Sequence, residues 1–199
     1  MFTEMKKRSY TLKRRAESRE ETRARIVAAT MKLHEELGAS GTTISAVAER
    51  AGVQRLTVYR HFPDETALFK ACTSQWLADH PPPDPAAWTA LASEARVRAA
   101  LAALYGYYRR TERMWVVSYR DEKEVEALRR PMREVRGYLD GIAADLAASI
   151  KASGRRRDAV ALTLAHAVQF ATWQSLKDNG ESDAVLVDLV IGWLAGLKS

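Results

Sequence analysis

A short stretch of the chain, 54–61, combines residue types and spacing that suit recognition of a nucleic acid. On a helix its outward positions are Gln54, Arg55, Leu56, Thr57, Arg60 and His61. Such a helix fits the major groove of DNA, where side chains near its N-terminus reach the base edges. We expect Arg55 to bind a guanine through two hydrogen bonds, and Leu56 or Thr57 to touch a thymine methyl group. Thr43, Tyr59 and His61 are better placed to contact phosphates.

The elements around this stretch are predicted to be two short helices joined by a tight turn. One helix spans 44–51 and is capped by Thr43, and the second spans about 54–61. Gly52 lies between them, where the chain needs a left-handed backbone conformation that glycine adopts cheaply. The inward positions are all small or apolar: Ile44, Val47, Ala48, Ala51, Val53, Val58 and Phe62. This spacing is typical of a helix-turn-helix, although an ordinary helical corner is the plainer alternative.

Helices are also predicted on either side of this pair. An apolar stripe of Ile26, Ala29, Leu33 and Leu37 marks the first helix, which ends at Gly38. A fourth helix opens at Pro63 and Asp64, and the proline-rich segment 80–85 follows it as a stiff boundary. We therefore divide the chain into a basic N-terminal arm (1–17), a helix-turn-helix domain (18–62), a connecting helix (63–80) and a larger domain (81–199).

The positive charge is concentrated in the first third of the chain. The 199 residues include 31 Lys and Arg and 25 Asp and Glu, a net charge of +6. Residues 1–62 hold 13 of the basic and 7 of the acidic residues, and the remainder holds 18 of each. This excess favours a polyanion as partner, although a solvated basic helix would carry similar charge. The arm is interpreted as mobile, and helical only toward its end.

The segment from Ile26 to about Leu68 resembles the TetR family of bacterial regulators. The residues that carry the resemblance are Ile26, Leu33, Gly38, Thr43, Ile44, Val47, Ala48, Ala51, Gly52, Val53, Thr57, Val58, Tyr59, Phe62, Ala67 and Leu68. A Gly-Val pair followed at this distance by Tyr-x-x-Phe is its most specific part. The resemblance implies that Arg55, Leu56 and Thr57 read bases, while Tyr59 and His61 contact the DNA backbone.

Three positions depart from the family's pattern. Glu65 stands where the family usually has a lysine that donates to phosphate, which puts that contact in doubt. A carboxylate at Glu65 would instead suit the N-terminus of the fourth helix. Thr30 replaces a small alanine, and His34 replaces an aromatic residue and is expected to be a partly buried core histidine. We hypothesise that the basic arm supplies the missing contact to the flanking backbone or minor groove.

Beyond the proline segment every periodic stretch predicts helix, and no strand pattern competes. The expected helices span about 86–110, 112–119, 125–151, 156–177 and 184–197, with Pro131 kinking or restarting the third. The predicted fold class is therefore all-α. It combines an N-terminal three-helix helix-turn-helix DNA-binding domain with a larger all-helical domain for ligand binding and dimerisation.

The last two of these helices are more apolar than one-sided surface helices need to be. Two such helices from each chain would form a four-helix interface. The residues expected there are Leu162, Val168, Val185, Leu189 and Trp193. The alternative is that both helices simply pack within one domain. A homodimer would present two recognition helices to DNA half-sites about 34–36 Å apart.

Large aromatic and methionine side chains gather in the middle and late helices. Such side chains suit an apolar pocket with a few polar groups, and the family resemblance implies that a pocket exists. The candidate lining residues are Tyr105, Tyr108, Met114, Trp115, Tyr119, Met132, His166, Phe170 and Trp173. Aromatic residues at helical spacing are more often plain core, and a hydrogen-bonded core histidine explains His166 equally well.

The sequence argues against several other classes of protein. It has no Ser-His-Asp arrangement, no HExxH motif and no Gly-rich phosphate loop, so an enzyme is not expected. The single cysteine, Cys72, excludes an internal disulfide and a cysteine-based metal cluster, and we predict no metal or cofactor. Without an 18-residue apolar run or a targeting segment, the expected location is the cytoplasm, with no membrane partner.

Together these patterns predict a ligand-responsive transcriptional repressor. As a homodimer it would bind a pseudo-palindromic operator in double-stranded DNA, and a small, mostly apolar effector would release it. The alternative is a sequence-tolerant DNA-coating protein without a ligand.

Overall fold

The computed structural model describes residues 2–197, with side chains for 13–197, and the regular structure in this range is helical throughout. Its α-helices are α1 (Phe2–Leu37), α2 (Ile44–Ala51), α3 (Arg55–His61), α4 (Glu65–Asp79), α5 (Ser93–Asp121), α6 (Glu126–Ser149), α7 (Gly154–Ala167), α8 (Phe170–Lys177) and α9 (Asp183–Gly196). A short 3-10 helix, Pro85–Ala87, follows the proline segment. The predicted all-α class is confirmed over the described range.

The chain divides into two compact units. The first unit comprises the chain up to His80 together with Val117–Ala127, and the second comprises Pro81–Val116 and the chain from Leu128 onward. One division therefore falls at the proline segment. The linear division of the sequence had placed Val117–Ala127 in the larger domain, whereas the structure assigns this stretch to the first unit.

The first helix is longer than the sequence suggested. Because α1 begins at Phe2, residues 2–17 form its opening turns, whereas the sequence predicted helix only toward the end of this stretch. This stretch has no apolar stripe, so periodicity gave no sign of a helix there. It is rich in Lys, Arg and Glu, which have good intrinsic helix propensity, and Lys13 lies 4.0 Å from Glu17 one turn later.

Two helix predictions in the second half of the chain were wrong. The stretches 86–110 and 112–119 do not form two helices, because a single helix, α5, runs from Ser93 to Asp121. The expected helix 156–177 is interrupted at Val168 and Gln169 and becomes α7 and α8. A restart at Pro131, one of the two effects expected there, does not occur, because α6 runs unbroken through this residue.

Two tyrosine hydroxyls lie at the break between α7 and α8. The Tyr105 hydroxyl donates to the Ala167 carbonyl at 2.9 Å, and the Tyr108 hydroxyl donates to the Val168 carbonyl at 2.6 Å. A helix end leaves carbonyl groups without helical partners, so these bonds stabilise the interruption. Both tyrosine side chains are almost completely buried.

The core of the first unit gathers apolar side chains from α1, α2, α3 and α4. Ile26, Val47 and Val58 are among its most buried members. Thr30 is also buried, and its hydroxyl donates to the Ile26 carbonyl at 2.8 Å. Cys72 is 2% exposed, with its sulfur 3.8 Å from the Val27 carbonyl oxygen. Burial raises the pKa of this thiol to about 12.

The end of α5 is fastened to the turn that follows α1. The Asp121 carboxylate is buried and accepts a hydrogen bond from the Ser40 amide at 3.0 Å. Arg120 donates to the Leu37 carbonyl at 2.6 Å and pairs with Asp121 at 2.7 Å. Burial raises the pKa of Asp121, but the hydrogen bonds from Arg120 and Ser40 outweigh burial and hold it below its ordinary value. Gly38 ends α1 as predicted, with φ of +85°.

His34 lies against the core of the first unit, as the sequence led us to expect. Its ring is half-buried and packs on Phe69, with 5.5 Å between ring centroids. Burial lowers the pKa of His34 from 6.5 to about 4, although the negative charge of Asp121 opposes this shift. The imidazole is therefore neutral in the folded protein at pH 7.

We predict that His34 makes the protein sensitive to acid. Because its pKa is lower in the folded state, its contribution is complete above pH 6.5 and is lost as the pH falls toward 4. Between pH 7 and pH 5 this group should lower the free energy of unfolding by about 2 kcal/mol. Urea unfolding at the two pH values should show that His34→Phe loses this part of the pH dependence. His166→Phe, at an exposed histidine of the second unit, is the control. Equal pH dependence of His34→Phe and wild type would contradict the prediction.

Candidate nucleic-acid interface

The turn between α2 and α3 has the geometry that the sequence predicted. The Thr43 hydroxyl oxygen accepts a hydrogen bond from the Ala46 amide at 3.2 Å and so caps α2. Gly52 has φ of +64°, in the left-handed region. The Val53 amide then donates to the Ala48 carbonyl at 2.9 Å, which closes the end of α2. The angle at which α3 leaves α2 is fixed by these backbone contacts.

One face of α3 is anchored in the core and the opposite face is exposed. Val58 is fully buried and Phe62 is 3% exposed, so these two residues hold the helix in place. The residues left exposed are Gln54, Arg55, Leu56, Tyr59 and Arg60. Leu56 is 58% exposed, a large fraction for a leucine, and it has no core function there. This exposed face presents hydrogen-bond donors, a hydrogen-bond acceptor and the apolar surfaces of Leu56 and Tyr59, on a helix that the core holds in place.

Thr57 and His61 lie on a different side of α3, where they face α1. Both are half-buried and form one wall of a cleft of about 520 Å³. Its other wall includes Arg14, Arg15, Arg19 and Thr22 from α1, and we call this site the arginine cleft. The sequence prediction grouped Thr57 and His61 with the other residues of α3 and did not identify this cleft.

The positive charges on the α1 side of the arginine cleft affect the pKa of His61. Partial burial lowers the pKa of His61, the charges of Arg19 and Arg23 lower it further, and Glu20 opposes them. Arg23 also places its guanidinium carbon 4.9 Å from the centre of the Phe62 ring. This cation–π contact joins α1 to the end of α3.

Arg19 and Thr22 were missed because the apolar stripe that predicted the first helix starts at Ile26, so the residues before it were not assigned to a helix face. Arg15, Arg19 and Arg23 are spaced four residues apart, as are Arg14, Ser18 and Thr22. On a continuous helix each set lies along one face. A first helix extended toward the N-terminus would therefore have grouped these side chains from their spacing alone.

Glu65 occupies the first turn of α4 and is exposed. The preceding residue, Asp64, caps the helix by accepting a hydrogen bond from the Ala67 amide at 2.7 Å. A carboxylate in this turn is favoured by the helix dipole. Stabilisation of the N-terminus of α4 is therefore a local reason for an acidic residue at position 65.

Several predicted ligand-binding residues form one aromatic cluster within the second unit. Tyr108, Trp115, Phe170 and Trp173 are all buried. The Phe170 ring centroid lies 5.5 Å from that of Tyr108, 5.6 Å from that of Trp173 and 6.0 Å from that of Trp115. The cluster is therefore tightly packed.

The polar atoms of this region are paired inside the unit. The Trp115 indole donates to the Thr111 hydroxyl at 3.0 Å, and the Trp173 indole donates to Asp183 at 3.0 Å. Asp183 in turn pairs with Arg109 at 2.7 Å. These bonds fix the orientation of the two indole rings.

The remaining predicted ligand-binding residues have varied surroundings. Tyr105 and Met132 are buried in the second unit, and Met114 there is half-buried. His166 is exposed, so it is not the core histidine that the sequence allowed. Tyr119 is half-buried and belongs to the first unit.

An apolar face lies on α7 and α9, which pack together in the second unit. Leu162 on α7 is 73% exposed, and Val185 and Leu189 on α9 are 44% and 41% exposed. Trp193 is half-buried on α9. Val168 is fully buried, so its predicted place at a dimer surface is wrong, because its side chain is used by the core of its own chain.

Neither a membrane-spanning helix nor a metal site occurs in the part of the chain that the structure describes. Within it, no helix combines the length and apolar character needed to cross a membrane. Among the same residues, no group of three or more His, Cys, Asp or Glu side chains is placed to hold a metal ion.

Fold and turn geometry together define a helical protein with an N-terminal helix-turn-helix domain. Residues 26–72 match the family model described as bacterial regulatory proteins of the tetR family. The match covers the helix-turn-helix and agrees with the family that the sequence motif suggested. No curated protein sequence matches the chain.

Several solved structures share the fold of this chain. A TetR-like transcriptional regulator from Rhodococcus sp. RHA1 is 19% identical, with a TM-score of 0.62 over 88% of this chain and 96% of that one. A mutant of HlyIIR is 17% identical, with a TM-score of 0.61 over 91% of this chain and 98% of that one. A second transcriptional regulator from Rhodococcus is 18% identical, with a TM-score of 0.57 over 86% of this chain and 95% of that one. The chain has the fold of TetR-family transcriptional regulators.

Proposed function

We propose that the protein is a ligand-responsive transcriptional repressor that binds a pseudo-palindromic operator as a homodimer. The observation that carries the proposal is the exposed face of α3, with Arg55, Leu56, Tyr59 and Arg60 on a helix anchored by Val58. A helix that is rigid on one side and polar on the other can enter a major groove and keep its register there. The tetR-family domain at 26–72 supports the same function.

Each residue of the interface has a proposed role. Arg55, beside the N-terminus of α3, binds a guanine, and Leu56 and Thr57 contact thymine methyl groups. Tyr59 and His61 bind phosphates. Thr43 accepts from the Ala46 amide but keeps a hydroxyl proton to donate, so it can cap α2 and bind a phosphate together.

The homodimer is proposed to form through the apolar face of α7 and α9. Its large side chains, Leu162, Val185 and Leu189, are more exposed than is usual for residues of their type. A twofold axis would set these residues against their own copies and bury them. It would also present two α3 helices to two half-sites of one operator.

The effector is proposed to be a small, mostly apolar molecule that binds at the aromatic cluster of the second unit. Because Tyr108, Phe170 and Trp173 already pack together, the ligand must separate these rings on binding. The effector shifts the protein away from the DNA-binding geometry only if it binds that geometry more weakly than the geometry that does not bind DNA. An inducer found in a thermal-shift screen must therefore bind operator-bound protein more weakly than free protein.

Selection of bound DNA from a random pool, followed by footprinting on the selected site, tests the proposed function. A repressor of this type should protect one short symmetric site. Even protection along the whole duplex would instead support a sequence-tolerant coating protein, which the acidic Glu65 and the basic α1 leave as the second candidate. A pool without enrichment would contradict the proposal.

We predict that Arg55→Ala relaxes the base preference at one position of each half-site. The loss of two hydrogen bonds to a guanine should cost about 1–3 kcal/mol of discrimination there. Arg55→Lys keeps the charge but not the planar pair of donors, so it should relax the same position with a smaller loss of overall affinity. Binding titrations against single-base variants of the selected site measure both effects. Equal weakening on every sequence would show that Arg55 contacts phosphate only.

A further inference from the structure

The arginine cleft is an open space lined by side chains from two different helices. Arg14, Arg15 and Arg19 line it from α1, and Thr57 and His61 line it from α3. The side chains of all three arginines are exposed, so a polyanion can approach them from solvent. At about 520 Å³ the cleft is large enough to admit a phosphate group with its neighbouring sugar.

The charges around the cleft favour an anion. Between Lys13 and Arg25 the chain has six basic residues and three glutamates. Glu17 lies 4.0 Å from Lys13, so part of its negative charge is balanced by Lys13 and not by the cleft arginines. Glu20 is the acidic residue whose charge reaches His61, where Arg19 and Arg23 oppose it. Positive charge therefore dominates at the cleft.

The position of the cleft selects one kind of anion. Thr57 belongs to both the cleft and the row of residues on α3 that would read bases. A helix in a major groove is flanked on both sides by the phosphates of the two strands. An anion in the cleft, directly beside α3, occupies the place where one of those strands would pass.

We propose that the arginine cleft holds the sugar-phosphate backbone flanking the bases that α3 reads, so that the DNA interface extends along α1. Arg14, Arg15 and Arg19 neutralise successive phosphates, while His61 donates to the phosphate nearest α3. This inference rests on the proposed function, because it requires DNA bound at α3. It explains how a chain with Glu65 in the first turn of α4 gains backbone contacts elsewhere.

The test replaces the three cleft arginines by glutamine together, as Arg14→Gln, Arg15→Gln and Arg19→Gln. Removing one phosphate contact should reduce the slope of log affinity against log salt by about 0.9, so the slope should fall by about 2–3 in the triple variant. Affinity should drop by similar factors for the selected site and for a random-sequence duplex of the same length. The base preference should stay unchanged, because bases are read by α3.

A matched control separates the proposed contacts from net charge. Arg129→Gln, Arg130→Gln and Arg133→Gln remove the same three charges from an exposed part of α6 and should leave the slope nearly unchanged. An unchanged slope in the cleft variant, or equal changes in both variants, would overturn the inference. Circular dichroism melting of each variant shows whether the fold is intact, so that weaker binding is not mistaken for unfolding.

Two further outcomes distinguish the possible failures. If wild-type protein selects no DNA site, the proposed function fails and the inference fails with it. If wild-type protein selects a site and the cleft variant keeps the full salt dependence, the inference alone is wrong. Binding of a free 5′-nucleotide to wild-type protein but not to the cleft variant, with no change in salt dependence, would assign the cleft to a small anion and overturn the backbone assignment.

Discussion

Gly38→Ala should lower the free energy of unfolding of the first unit by about 2–5 kcal/mol, a large part of the stability of an ordinary domain. Gly38 has φ of +85°, and a side chain in this region costs about 1–2 kcal/mol. The added carbon would also overlap with Arg120 Nη2 and Asp121 Oδ2. Arg120 is half exposed and can move away. Asp121 cannot, because it is buried and bonded to the Ser40 amide.

Gly52→Ala is the matched control, because it lies in the same unit and also has positive φ, of +64°. A carbon added there would have its nearest neighbour, an Arg25 nitrogen, 4.0 Å away. The control should therefore lose only the conformational cost, about 1–2 kcal/mol. Urea unfolding followed by circular dichroism compares the two variants. Equal losses would show that the contact between Gly38 and Asp121 does not limit the substitution.

Introducing carboxylates on the apolar face of α7 and α9 should convert the proposed dimer into monomers. In a twofold interface each substitution appears twice, so Leu162→Glu with Leu189→Glu places four carboxylates in one contact. Like charges opposed in an interface cost several kcal/mol, so self-association should weaken by at least about a thousandfold. Because one α3 helix alone gives weak binding, affinity for the selected DNA site should fall as well.

Sedimentation velocity on the double variant and on wild type measures this effect. Leu91→Glu is the matched control, since Leu91 is 42% exposed in the same unit but lies outside α7 and α9. The control should remain dimeric and keep its DNA affinity. A double variant that stays dimeric would place the interface elsewhere, and a monomeric wild type would contradict the proposed assembly.

The helix-turn-helix was predictable because its rules are local. Thr43, Gly52 and Val58 lie within sixteen residues of one another, and each has one structural task that its residue type reveals. The contact of Asp121 with Ser40 spans 81 positions, and nothing in the residues near Asp121 indicates it. The burial of the Asp121 carboxylate therefore could not be predicted from its neighbours in the sequence.

The break between α7 and α8 in the second unit also depends on residues that are distant in the sequence. The apolar pattern of 156–177 continues past the point where α7 ends, because Ala167 and Val168 are both buried there. What permits the interruption is the pair of hydroxyls from Tyr105 and Tyr108, about sixty positions away. Periodicity detects which side chains are apolar, but it does not show which backbone groups a distant residue will satisfy.

The buried thiol of Cys72 has a practical consequence for measuring motion in this protein. The chain has one cysteine and five tryptophans, so a thiol reagent reports from one place while fluorescence averages over several. With 2% exposure and a pKa raised to about 12, Cys72 is protected from alkylation while the core of the first unit stays closed. The rate at which Cys72 is labelled under native conditions therefore reports how often that core opens. If DNA slows the labelling, the ratio of the two rates gives the coupling between DNA binding and local unfolding.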